Sequence, residues 1–213
     1  MSRVAPTPVR DLIELVLGYS LIVGIIWSPE HLQRVLSPIA LVLTLAVVLA
    51  QGKSRDELGV GRRGLLPSLW IIPAAIALSA LSVFLAAKAG TLHPLYKGDL
   101  KHVTGYVLWT IYQQFLLQDF FMDRVLRILH NETAAVTLAG TLFAVAHLPN
   151  LVLTAATLVW GILACMLFRR YHNLWALGFA QGLLGLCFAV CVPDALHHHL
   201  RVGLGYLLYS GPR

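Results

Sequence analysis

The chain has 213 residues, of which 58% are hydrophobic and 12% charged, with a mean hydropathy of +0.74. That is more apolar surface than a soluble domain of this size can hide, so water-soluble fold classes are excluded and lipid must solvate much of the chain. The formal charge of +6 comes from basic residues spread over helix ends rather than gathered in one run, which points to anionic headgroups and away from nucleic acid.

Apolar runs separated by polar punctuation predict membrane spans at 11–27, 32–50, 66–87, 105–129, 134–149, 151–168 and 174–192. The expected fold is all-α: a single transmembrane domain over 1–213, a polytopic bundle of about seven helices within a range of six to eight, closed by a short tail at 193–213. The first span follows a basic N-terminus, but WSPEHLQ stands where a cleavage site needs small residues, so that helix is expected to be retained. Between the second and third spans, GVGRRG follows no strand pattern and reads as a loop rather than a phosphate cradle.

The fourth span holds the sequence's most unusual feature. Gln113, Gln114, Gln118 and Asp119 lie within two turns of an otherwise apolar helix. Polar groups at hydrocarbon depth are costly and need partners or a task. Amides donate and accept hydrogen bonds but take up no proton at physiological pH, so the cluster is suited to binding more than to acid–base work. The fifth span ends in FAVAHLPN, where Pro149 favours a break and leaves almost no loop before the sixth, so one of the two is expected to be short or re-entrant. At 1.5 Å per residue, Gln113 lies about 24 Å above the end of its helix and His147 about 20 Å above the start of its own. Gln181 in the seventh span falls about 10–13 Å above its start, nearer Asp119. These groups are expected to line one interior, with Phe143 and Asn150 on the helical face of His147.

Each of these residues also has a plainer reading. Glutamines glue membrane helices together, a lone histidine is often satisfied by a backbone carbonyl, and Asp119 and Asp123 beside Arg124 and Arg127 suit an ion-paired helix end. Cys165, Cys187 and Cys191 read as small core residues, and His197, His198 and His199, splayed by about 100° per residue, do not converge on one ion. No metal or cofactor is expected. His130, Asn131 and Glu132 read as a solvated turn. Placing the N-terminus in the cytoplasm puts ten basic residues inside, Arg3 among them, against six outside, which include Lys97 and Arg213.

The order of motifs resembles the CPBP family of CAAX proteases and bacteriocin-processing enzymes, also called Abi, which includes type II CAAX prenyl endopeptidases. Its Glu-Glu-x-x-x-Arg falls on Gln113-Gln114-Phe-Leu-Leu-Gln118, its Phe-x-x-x-His on Phe143-Ala-Val-Ala-His147, and its His-x-x-x-Asn/Asp on Gln181-Gly-Leu-Leu-Gly185. The loop at 54–64 is similar to a Leu-Gly loop of the family, so the resemblance covers about 54–190. It implies a glutamic-type intramembrane endopeptidase in a bacterial-type inner membrane, acting on a transmembrane or lipidated peptide. It makes Gln113, Gln114, Asp119 and His147 the catalytic candidates and Gln118, Phe143, Asn150 and Gln181 the binding candidates. Three readings stay open. One is a divergent peptidase in which Asp119 supplies the carboxylate. Another is a non-catalytic relative that binds peptide, lipid or a partner subunit. The third is a small transporter or assembly subunit.

Overall fold

The computed structural model describes residues 7–96 and 98–211; Arg3, Lys97 and Arg213 of the charge count lie outside them. The described residues are helical: α1 (Pro8–Ile26), α2 (Glu30–Leu49), α3 (Leu65–Ser68), α4 (Ile71–Ala89) and α5 (Leu100–Phe115) come first. A π-helical segment (Leu116–Met122), α6 (Asp123–Leu129), α7 (Glu132–Val145), α8 (Leu151–Tyr171), α9 (Leu174–Cys191), α10 (Asp194–His197) and α11 (Gly203–Leu207) follow.

Among the described residues, four stretches are long and apolar enough to cross a bilayer on their own: Glu30–Leu49, Leu65–Ala89, Leu151–Tyr171 and Leu174–Cys191. The other three expected spans differ for physical reasons. Arg10, Asp11 and Glu14 load the first turns of α1 with charge. The run from Leu100 to Leu129 is continuous but broken in type by the seven-residue π-segment, and it carries Asp119, Asp123, Arg124 and Arg127. α7 has only 14 residues, about 21 Å of rise against a hydrocarbon core of about 30 Å, as the break before Pro149 led us to expect.

The chain divides into two compact units. The first comprises the residues up to Ser54, Leu116–Met166 and Arg201–Ser210. Within it α1 packs on α2, α6 and α11, and the π-segment packs on α2 and α7. Leu117, Phe120, Met122, Val125, Ala135 and Ala139 form its core. The Phe120 ring lies directly against Gly18, where a Cβ would come within 2.4 Å of it. The second unit comprises Arg55–Phe115 and Leu167–Leu200, and there α9 packs against both α4 and α5. Its axis is Gly178, where a Cβ would stand 2.9 Å from the Ile111 Cα, so α5 and α9 approach backbone to backbone as small residues permit in membranes. Thr110 fixes the register by donating to the Gly178 carbonyl at 2.9 Å.

Two reversals share one chemistry. His130 (φ 53°) and His172 (φ 50°) each turn left-handed at a helix end, and the next residue, Asn131 or Asn173, caps the following helix. The asparagine Oδ1 accepts from Ala134 N at 2.9 Å in one case and from Ala176 N at 3.0 Å in the other. In the tail, VGLGYLLY holds the five-residue α11. Of the three consecutive histidines only His197 is helical; His198 and His199 are left-handed, and His199 pairs with Asp194 at 2.6 Å.

Candidate functional site

Within the second unit, three glutamines form a hydrogen-bonded chain. Gln114 Nε2 donates to Gln181 Oε1 at 2.5 Å, and Gln181 Nε2 donates to Gln113 Oε1 at 2.5 Å. The close approach at Gly178 brings α5 and α9 near enough for these side chains to bridge them, and Thr110 anchors the same face one turn away. Gln114 is fully buried and Gln181 nearly so. Each amide oriented this way satisfies its neighbour, as apolar surroundings demand, and none offers a proton acceptor of carboxylate strength.

The remaining expected site residues belong to the first unit. Gln118 and Asp119 sit side by side in the π-segment, both about 1% exposed. Gln118 hydrogen-bonds the Cys165 thiol, while Asp119 Oδ2 has no hydrogen-bond partner among the described residues. A buried carboxylate oxygen in that condition is costly to maintain, and π-segments recur at functional sites. His147 lies in the turn after α7, its Nδ1 2.7 Å from the Phe143 carbonyl and its ring edge-on to Phe143 at 4.9 Å. A carbonyl only accepts, so Nδ1 carries the proton and Nε2 of the neutral ring is the acceptor. Asn150 is occupied with backbone: Nδ2 donates to Arg201 O at 3.1 Å, and Oδ1 accepts from Leu153 N at 3.1 Å to cap α8.

The charged end of the fourth span is ion-paired, and most of its partners come from outside that span. Asp123 meets Lys53 at 2.5 Å and also Arg127. Arg127 forks onto Asp11 at 2.7 and 2.8 Å. Arg124, fully buried, forks onto Glu14 at 2.6 and 2.9 Å. Its third nitrogen donates to the Phe120 carbonyl at 2.8 Å, and its guanidinium lies 4.0 Å over the Phe120 ring. Sequence reasoning missed Asp11, Glu14 and Arg124 as a set. The available signal was a pair of acids three residues apart near the start of an apolar helix, which have to be matched by bases elsewhere. Among the described residues no group of three or more histidine, cysteine or acidic side chains has the arrangement of a metal site.

Comparison with known proteins gives a match to a protein family. The family model described as "Type II CAAX prenyl endopeptidase Rce1-like" matches residues 100–187, which include every catalytic and binding candidate from Gln113 to Gln181. No curated protein and no solved structure matches the chain. From Leu100 to Cys187, this membrane protein is thus similar to the Rce1-like domain of the CAAX protease superfamily.

Proposed function

We propose that this protein is an Rce1-like intramembrane protein in which recognition of a transmembrane or lipidated peptide has outlasted efficient glutamic-type hydrolysis. The observation that carries the reading is the Gln114–Gln181–Gln113 chain, because a general base is worth roughly 10²–10⁴-fold in rate and an amide cannot act as one. Amides do provide paired donors and acceptors of the kind that read an extended peptide backbone. Purified protein in detergent is expected to leave prenylated and transmembrane test peptides uncleaved. A photo-crosslinking residue at position 113 is expected to capture them. Efficient cleavage that persists in Asp119→Asn would overturn the reading.

A second reading rests on Asp119, whose buried Oδ2 has no hydrogen-bond partner among the described residues. It makes the chain a divergent endopeptidase in which Asp119 supplies the carboxylate and His147 Nε2 holds water or polarises the carbonyl. Its mark is cleavage lost in both Asp119→Asn and His147→Ala.

The setting we propose is a bacterial-type plasma membrane with about seven helices in or across the bilayer and the N-terminus in the cytoplasm. The excess of Lys and Arg assigned to that side supports the orientation. A cysteine at Ser54 should resist membrane-impermeant label applied outside intact cells; labelling there would reverse the assignment.

A further inference from the structure

We infer that two arginine pairs far apart in sequence, Arg62-Arg63 and Arg169-Arg170, form one binding site for anionic phospholipid headgroups. The inference lies within the second unit and is independent of whether the amide chain binds peptide.

The juxtaposition is fixed by backbone contact. Arg62 and Arg63 immediately precede Gly64, and Arg169 and Arg170 immediately precede Tyr171. At Gly64 a Cβ would lie 1.6 Å from the Tyr171 carbonyl oxygen, so only glycine allows the two strands of chain to touch there. The loop that presents the first pair is held rigidly. Leu174 N donates to Gly59 O at 2.8 Å, Trp175 Nε1 donates to Val60 O at 3.1 Å, and Val60 N and Gly61 N both donate to Arg55 O. Arg62, Arg63 and Arg170 are exposed. Over 54–64 and 169–175 five arginines face two acids, Asp56 and Glu57, leaving a formal +3.

Position and apolar surroundings select a lipid rather than a soluble partner. Three apolar spans begin or end at this cluster: Leu65–Ala89, Leu151–Tyr171 and Leu174–Cys191. The arginines therefore sit where hydrocarbon gives way to headgroups. Beside them Leu66 is 78% exposed, Trp70 50% and Trp175 37%. Trp70 lies edge-on to Tyr171 at 6.2 Å, and the Tyr171 hydroxyl accepts from Arg170 Nε at 3.2 Å. Indole and phenol rings at the level of the headgroups, with guanidinium groups next to them, suit one acyl chain and one phosphate at once.

The test uses the full chain, purified in a zwitterionic detergent, with phosphatidylglycerol and phosphatidylcholine as competing probes and retained lipid read by native mass spectrometry. The wild type is expected to prefer phosphatidylglycerol. The triple variant Arg62→Gln/Arg63→Gln/Arg170→Gln should lose that preference by about tenfold or more, while Lys88→Gln/Lys101→Gln should change it less than about twofold. Raising salt from about 0.05 to 0.5 M should weaken the wild-type preference in the same direction. A triple variant that keeps the wild-type preference, an equal loss in the lysine variant, or a salt-independent preference would each overturn the inference.

Discussion

Replacing Arg124 by Met would remove a buried charge while keeping side-chain length. Four interactions go with it: the fork onto Glu14 at 2.6 and 2.9 Å, the bonds to the Phe120 carbonyl at 2.8 Å and the Asp119 carbonyl at 3.3 Å, and the stacking on Phe120 at 4.0 Å. Taking one partner from a buried ion pair costs about 3–5 kcal/mol, because the other charge is left desolvated. Glu14 is not wholly abandoned, since its side chain is 16% exposed and Arg10 still reaches it at 2.7 Å. The lower end, about 3 kcal/mol, is therefore expected, which at this chain length corresponds to a fall of roughly 6–12 °C in thermal midpoint. The assay is thermal unfolding in detergent, run as a double-mutant cycle with Glu14→Gln. The double variant should be less destabilised than the sum of the singles by more than about 1 kcal/mol, because neutralising Glu14 removes the stranded charge. An Arg124→Met midpoint within about 2 °C of wild type, or strict additivity in the cycle, would refute the buried-pair reasoning.

Gly178→Ala should lower the thermal midpoint by roughly 2–10 °C, since its Cβ would meet the Ile111 Cα at 2.9 Å and push α5 from α9. Gly24→Ala, where nothing lies within 4 Å, is the neutral comparison. His197 should make the fold acid-sensitive: burial holds its pKa below the ordinary value, so the folded chain resists a proton that the unfolded chain accepts near pH 6.5. Stability is then full above that pH and falls as pH drops, by up to about 1.4 kcal/mol per pH unit. Comparing thermal midpoints at pH 7.5 and 5.5, His197→Asn, which keeps an acceptor for the Leu200 N–H, should fall less than wild type; an unchanged slope would remove His197 as the cause.

Much of the architecture was legible because membrane insertion depends on runs of apolar residues, and runs are visible in a sequence. The spans that became α2, α4, α8 and α9 were marked by length and composition alone. What was not legible depends on local geometry. No residue type announces that Leu116–Met122 is π-helical, because the change adds one residue to a turn without altering the apolar pattern. Counting rise per residue sets Gln181 nearer Asp119, but the close approach of α5 and α9 at Gly178 gives it to Gln113 and Gln114 instead. The sequence marks an ion-paired helix end without assigning pairs: Asp123 takes Arg127 one turn on, whereas Arg124 goes to a glutamate over a hundred residues away, a choice that depends on how α1 packs on α6. Asn150, nominated for binding from its place one turn past His147, is engaged with backbone in capping α8.

The paired His-Asn reversals have a consequence for how the chain folds. With only two residues between α6 and α7, which pack on each other, the entropy lost in closing that connection is small and the contacts that reward it are near in sequence. The first reversal therefore lets α6 meet α7 as soon as both have been synthesised, without waiting for distant segments, while the second, between α8 and α9, sets only where one helix stops and the next starts. The left-handed histidine and the capping asparagine terminate one helix and start the next in a single step. Lengthening the α6–α7 connection with flexible residues should slow assembly of that hairpin more than it weakens the finished bundle.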